Sequence, residues 1–177
     1  FVGNLLEMTR LEAGAVKLRA ELCDVQELIG IALARTESRL KGHEVAVSLA
    51  PGLPLVRMDL SLMTEVLVNL LENAGKFSPA GSPIEVKARA ESEWLRLVVE
   101  DYGRGVPAAE LEKIFDKFYR VPVPEGEGTG LGLSICRGIV EAHAGKISAE
   151  NKKDGGLRVV VRLPLLPTSP EAGQGDE

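Results

Sequence analysis

Asn69, Asn73 and Lys76 fall on one stripe of Asn69-Leu70-Leu71-Glu72-Asn73-Ala74-Gly75-Lys76-Phe77 when the segment is wound at the helical period. Met63, Leu67, Leu70, Leu71 and Ala74 gather on roughly the opposite side. An amide oxygen can coordinate a hard cation and a lysine ammonium can meet a phosphate, so the stripe has the chemistry to hold a metal-bound polyphosphate. A solvated helix face carries the same residue types, and on spacing alone that is the stronger reading.

Gly126-Glu127-Gly128-Thr129-Gly130-Leu131-Gly132-Leu133 alternates glycine with larger residues directly ahead of a second helical pattern. Glycines let backbone N–H groups come close to an anion, and a helix N-terminus adds a favourable dipole, so this stretch is either a phosphate cradle or a flexible hinge. No Gly-Lys-Ser/Thr follows it and no strand leads into it, so it is neither a Walker loop nor a dinucleotide fingerprint. Asp101 ends a strand-like run and opens Asp101-Tyr102-Gly103-Arg104-Gly105. Its carboxylate could accept an amino proton from a purine, or hydrogen-bond the amides of its own turn.

The elements that must position these groups can be laid out in order. An amphipathic helix runs to about Ala13, followed by an extended run Val16 to Leu22. Asp24 caps a helix reaching about Leu40, and Glu44 to Leu49 and Leu55 to Met58 read as strand, turn, strand across Pro51-Gly52 and Pro54. Asp59 or Ser61 caps the helix bearing the amide stripe, and Ser78-Pro79-Ala80-Gly81-Ser82-Pro83 ends it. Ile84 to Ala90 and Trp94 to Glu100 alternate like a hairpin. Pro107 starts a helix through Phe115, and the aperiodic stretch Val121 to Gly132 is expected to be a mobile lid. A helix Leu133 to His143 and strands Lys146 to Asn151 and Leu157 to Leu163 complete the core, with a disordered polar tail from Pro164.

The 177 residues, 45% of them hydrophobic, suffice for one domain with a real core. The net charge is -5 and the cations are scattered along the chain, which excludes a nucleic-acid partner held by charge. Cys23 and Cys136 share no metal-ligand spacing and sit among apolar residues, as buried thiols in a reducing compartment do. No apolar run approaches a membrane span, so a soluble chain is expected. Phe1 opens in mid-pattern, so the chain reads as a piece of something longer.

Asn69 to Phe77, Asp101-x-Gly103-x-Gly105, Ile114-Phe115-Asp116-Lys117-Phe118-Tyr119-Arg120 and Gly128-x-Gly130-Leu131-Gly132-Leu133, in this order and separation, resemble the N, G1, F and G2 boxes of the sensor histidine kinases. The resemblance covers about Asp24 to Leu165, their catalytic and ATP-binding domain. Leu5-Leu6-Glu7-Met8-Thr9-Arg10-Leu11-Glu12-Ala13-Gly14, Phe115 to Arg120, and Glu141-Ala142-His143 before Ala149-Glu150-Asn151 are similar to the potassium-responsive KdpD-type kinases.

The resemblance implies a two-layer α/β sandwich of the Bergerat (GHKL) type, a mixed sheet with helices on one face, binding ATP and Mg²⁺ under a lid from Val106 to Gly132. It implies that Asn73 is the metal ligand, that Asn69 stands where related ATPases keep a water-activating glutamate, and that Lys76 and Arg120 serve the phosphates, with Lys117 a poorer candidate. Phe77 would lie beside the nucleotide and Asp101 would read the adenine amino group, with Gly103, Gly105 and Val106 around it. Gly128, Thr129, Gly130, Leu131 and Gly132 would line the phosphates, while Phe115 and Phe118 would anchor the lid. Residues 1–14 would be the second half of a dimerisation hairpin whose phosphoacceptor half is absent, 15–165 the catalytic domain and 166–177 a disordered tail. Neither His43 nor His143 has the phosphoacceptor context; His43 reads as exposed and His143 as a packed or capping histidine. Implied partners are the histidine-bearing dimerisation domain and a response-regulator receiver domain, in a membrane-bound homodimer of the bacterial inner membrane whose catalytic domain is cytoplasmic. Ala144-Gly145 departs from the family's usual Gly-Gly. The alternatives are an ATP-driven clamp related to gyrase, MutL or Hsp90, and a non-catalytic nucleotide-dependent interaction module.

Overall fold

Alternating apolar residues give three strands of the main sheet one buried face, and two amphipathic helices close it. In the computed structural model, which describes residues 17–121 and 130–165 together with Gly3 and Leu6, the order is β1 (Glu21–Cys23), α1 (Val25–Thr36), β2 (Val45–Leu49), β3 (Val56–Met58), α2 (Leu60–Phe77), β4 (Ile84–Glu91), β5 (Trp94–Glu100), α3 (Gly132–Ala142), β6 (Lys146–Asn151) and β7 (Leu157–Pro164). The main sheet runs β2-β4-β5-β7-β6, and only β2 and β4 are parallel. Ile84, Val86 and Ala88 of β4, Leu95, Leu97 and Val99 of β5, and Val159, Val161 and Leu163 of β7 form the covered face. The helices α2 and α3 pack there, and α1 packs on α2. The architecture is the expected two-layer sandwich with helices on one face of a mixed sheet.

Helix α2 is placed by its buried side, where Met63, Val66, Leu67, Leu70, Leu71 and Ala74 meet the core. Full burial of one such side chain is worth roughly 1.5–3 kcal/mol, so packing outweighs helix propensity in fixing its rotation. Its start is fixed by Asp59, whose Oδ1 accepts from Leu62 N (3.1 Å) and whose Oδ2 accepts from Arg19 N (3.0 Å). The backbone N–H of Asp59 donates to His143 Nε2 (3.0 Å), and His143 Nδ1 lies 2.8 Å from Ile139 O. These two bonds set the proton on Nδ1 and tie the start of α2 to the end of α3. His143 is thus a packed cap, as expected.

Several boundaries differ from those read in the sequence. The run after Val16 pairs only over Glu21–Cys23, because β3 offers three partners before Asp59 opens α2, and Arg19 N goes to the Asp59 carboxylate instead of a ladder. β2 and β3 flank the turn at Pro51-Gly52 as expected, although they belong to different sheets. Helix α1 stops at Thr36, whose hydroxyl bonds back to Ala32 O (2.9 Å), and Leu40 is buried from a following turn. Pro107 opens two 3₁₀ turns, Ala108–Glu110 and Lys113–Phe115, rather than one helix. So short a segment cannot nucleate alone, and only Ile114 and Phe115 are buried to hold it. Pro164 belongs to β7 and not to a tail: β6 begins opposite Arg162, so the N–H that proline lacks would face no strand. His43 is half-buried, with Nδ1 2.9 Å from Ser82 O, rather than exposed. Apart from Gly3 and Leu6, the residues of the first helix lie outside the described residues, as does the tail from residue 166.

After His143 the chain turns through Ala144 at φ 58. A Cβ on Gly145 would meet Arg162 O at 2.5 Å, so the glycine serves the close approach and alanine is left in the left-handed region. Ala144→Gly is expected to stabilise the fold by about 1 kcal/mol, a Tm rise of about 2–4 °C, since the turn strain exceeds glycine's added chain entropy. An unchanged or lowered Tm would show that Ala144 carries no strain.

Candidate functional site

The last turns of α2 and the loop after β5 face each other across a cavity of about 330 Å³. Asn69, Asn73, Lys76 and Phe77 form one wall, and Asp101, Arg104, Gly105 and Val106 the other. Val99, Leu157 and Val159 line it from the sheet, while Tyr119, Arg120, Gly130 and Gly132 border it on the lid side. A helical period places the amides of α2 on one stripe, and here the stripe faces a concave space rather than open solvent. The Lys76 ammonium lies 5.3 Å from the centre of the Phe77 ring.

Asp101 is buried, and Oδ1 accepts from Gly103 N (2.9 Å) and Leu157 N (3.1 Å). Burial pushes its carboxyl above the usual carboxylate range, and those two amides with Lys152 offset only part of the rise. The residue therefore does hold its own turn, through one oxygen, while also lining the cavity. Gly103 lies behind the wall for a steric reason: a Cβ there would meet Phe77 O at 2.4 Å. This is the contact that presses the loop against the end of α2.

The loop is strapped from the far side by β6 and β7. Asn151 Oδ1 accepts from Val106 N (2.9 Å) and Nδ2 donates to Val106 O (2.5 Å), as a neighbouring strand would. Lys152 donates to Asp101 O (3.1 Å) and its ammonium lies 3.4 Å from the centre of the Tyr102 ring. Gly156 sits at φ 99, where a Cβ would meet Asp101 O at 2.0 Å.

On the lid side, Phe118 N donates to Gly130 O (3.0 Å), and Gly130, at φ 74, has no room for a Cβ against the Phe118 backbone. Tyr119 OH donates to Glu110 Oε1 (2.5 Å), and Asp116 pairs with Arg137 of α3 (3.5 Å). Phe115 is buried and anchors the segment as expected, but Phe118 does not: it is 60% exposed, because its left-handed backbone turns the ring away from the core.

Of the residues singled out in the sequence, Asn69, Asn73, Lys76, Phe77, Asp101, Gly105, Val106, Arg120, Gly130 and Gly132 line the cavity. Gly103 and Leu131 stand behind its wall, Leu131 fully buried, and Gly128 and Thr129 lie outside the described residues. Sequence reasoning missed Glu72, Arg104 and Tyr119 on the wall. Arg104 was findable as a cation between two glycines of a turn. Glu72 sits between the two amides, but its carboxylate is drawn to Arg39 of the turn after α1. Both thiols are buried, and burial raises that of Cys136 far above its ordinary value.

Residues 58–167 match the family described as histidine kinase-, DNA gyrase B-, and HSP90-like ATPase. Over 166 residues the chain is 39% identical to the sensor protein KdpD of Clostridium acetobutylicum, covering 92% of this chain and 18% of that protein. Over 174 residues it is 42% identical to the sensor protein KdpD of Escherichia coli (strain K12), covering 96% of this chain and 19% of that protein. It therefore spans about a fifth of the length of these relatives. Among solved structures it is similar to the mycobacterial sensor histidine kinase MprB, with a TM-score of 0.73 and 29% identity over 82% of this chain and 97% of that one. It is also similar to full-length ShkA in complex with AMPPNP, with a TM-score of 0.84 and 26% identity over 96% of this chain and 36% of that one.

Proposed function

The chain belongs to the histidine kinase-, DNA gyrase B- and HSP90-like ATPases, and from that premise we propose that its cavity binds Mg-ATP for phosphoryl transfer to a histidine, and thence to an aspartate of a response-regulator receiver domain. One observation carries the choice of kinase over hydrolase. Of the two carboxylates on the described cavity wall, Asp101 holds its own turn and Glu72 is paired with Arg39, while Asn69 is an amide. No wall carboxylate is left to activate water, which a clamp-type ATPase requires.

The donor set fits the nucleotide. Asp101 lies at the sheet end of the cavity with Oδ2 outside its turn bonds, suited to accept from the adenine amino group, and Phe77 and Val106 flank the base. Asn73 supplies a neutral oxygen to Mg²⁺, and the described residues contain no group of three His, Cys, Asp or Glu that could hold a metal ion. A cation here would be carried largely by phosphate oxygens. ATP supplies the transferable γ-phosphoryl group, and Lys76, Arg120 and Arg104 offset its charge; the Gly128–Gly132 segment would line the phosphates, with Thr129 and Leu131 nearby. Asn69 holds the neighbouring position without offering a base.

Within the intact protein, residues 1–14 would pack in a dimerisation hairpin, 15–165 would act as the catalytic domain and 166–177 would form a tail. The acceptor histidine would come from that hairpin, in a homodimer of the bacterial inner membrane. No described helix is long and apolar enough to cross a membrane. The test is to supply a separately produced histidine-bearing hairpin of a KdpD relative and follow label from γ-labelled ATP. Transfer to the histidine supports the reading; an ATP-binding chain that never labels any hairpin would make it a non-catalytic module. Asn151→Ala should weaken ATP-analogue binding about tenfold by freeing Val106 from its two amide bonds, and Asn151→Asp, which keeps one, should fall between. Equal affinity in all three would remove Asn151 from the positioning of the loop.

A further inference from the structure

Pairing across the main sheet aligns the side chains of its open face in rows. Arg89, Arg96, Arg162 and Lys146 are successive register partners on β4, β5, β7 and β6. Four residues away along the strands, Glu85, Glu100, Arg158 and Glu150 make a second row on the same face, and between them lie Lys87, Val98, Val160 and Ser148. Like charges directly opposite one another destabilise a sheet, and a face meant only for solvent disperses its signs. Here the first row is uniformly basic, while the second holds three glutamates about Arg158, with Lys87 lying 3.6 Å from Glu85. Glu91 pairs with Arg89 and lies 3.8 Å from Arg96, and Glu150 is 4.0 Å from Arg96. Burial first, and then Arg89, Arg162 and Arg158, push the Arg96 guanidinium below its ordinary value.

A uniformly anionic occupant, whether a lipid surface or a nucleic acid, would meet the glutamate row about 14 Å from the basic one. A protein surface with the opposite order of charges fits both rows, and on the outer strands β4 and β6 this face supplies that order itself, through Glu85 with Arg89 and Glu150 with Lys146. We propose that the open face of the sheet docks on the same face of a second copy, about a two-fold axis running along the middle row. Glu85 then meets Arg89 of the second copy, and Glu150 meets Lys146, each pair occurring twice. Glu100 is spent within the chain on Arg158 (2.7 Å) and Lys87 (3.3 Å), and Arg158 would oppose Arg162, a mismatch that Glu100 and Glu150 offset by holding Arg158. Four strands of this length offer roughly 450 Å² per copy, below what a stable dimer buries, so the contact is weak and depends on tethering in a larger assembly. The net charge of -5 per copy opposes it at low salt and is screened over about 8 Å at physiological ionic strength.

Sedimentation equilibrium of the 177-residue chain at physiological salt tests this, with cooperative thermal unfolding followed by circular dichroism as the control for folding. The chain should pass reversibly from monomer toward dimer as its concentration approaches millimolar. R89E/K146E and E85K/E150K, all changes at the sheet surface, should each weaken self-association about tenfold or more, because like rows now face each other. An equimolar mixture of the two should associate again, since each altered row meets its complement. A parent chain that stays monomeric would assign the face to another partner and overturn the proposal. So would variants that associate as the parent does, or a mixture no tighter than its components. None of these outcomes depends on whether the cavity binds ATP.

Discussion

Asp101→Asn is expected to lower the affinity for ATP about 100-fold, by removing a buried charged acceptor, while leaving the fold as stable as before or more so. The two effects separate because the carboxylate has two jobs. Asparagine keeps an oxygen for the N–H groups of Gly103 and Leu157, so the turn persists. It cannot offer a second acceptor to an adenine amino group, and its own amide hydrogens would face that donor. Burial raises the folded carboxyl above its unfolded value. The unfolded chain thus releases this proton first as pH rises, and ionised Asp101 weighs against folding above its folded pKa; the penalty is relieved as pH falls through that raised value. A neutral amide removes the penalty. Binding has the opposite sign: ATP affinity in the parent chain should begin to fall, on acidification, at a higher pH than an ordinary aspartate would set. Thermal unfolding and analogue titration over mildly acidic pH read both effects. Unchanged affinity in Asp101→Asn would remove the adenine role, and a large loss of Tm would show the turn needs the charge.

Gly103→Ala is expected to damage both the cavity and the fold. Its Cβ would fall 2.4 Å from Phe77 O and 3.2 Å from Asp101 Oδ1, and the nearer contact is backbone that cannot swing aside. Relief requires moving the loop after β5 away from the end of α2, the two walls of the site. Overpacking of this kind costs about 1–3 kcal/mol, and displaced walls should reduce analogue affinity at least about tenfold. Gly132→Ala is the contrast, because its Cβ would meet Asn69 Oδ1 at an ordinary 3.5 Å. That variant should fold normally, so any lost affinity there would report on phosphate contact alone. Equal Tm and affinity for Gly103→Ala and the parent would contradict the close approach.

The fold was legible wherever a strong period met clear punctuation. Helix α2, the β4–β5 hairpin, α3 and β6–β7 each combine a buried stripe or alternation with a cap, proline or glycine at the ends. The errors fell where a distant partner decides. Nothing local says that β1 stops because β3 has three residues, or that Arg19 prefers the Asp59 carboxylate to a strand. Phe118 resembled an anchor by residue type, but its φ of 59, set by Gly130 packing on its backbone, turns it outward.

The site was legible in pieces whose meaning depends on assembly. On spacing alone, Asn69, Asn73 and Lys76 could be a solvated face; the loop after β5 standing opposite makes them the wall of a cavity. The glycines also divide by cause in a way that composition hides. Gly103, Gly130 and Gly156 are required by neighbouring backbone, whereas a Cβ on Gly132 would make only an ordinary contact with Asn69, so packing does not demand glycine there. Asn151 and Lys152, far along the sequence from the loop they strap, carried no local signal of that work.

Calorimetric titration of the folded chain with a non-hydrolysable ATP analogue, with and without Mg²⁺, reads occupancy of the cavity between α2 and the loop after β5. A single site is expected, tighter with Mg²⁺, weakened by Asp101→Asn and lost when Asn73 and Lys76 are both replaced by alanine. A chain that unfolds cooperatively yet takes up no analogue at millimolar concentration, with Mg²⁺ present, would contradict the proposed ATP site.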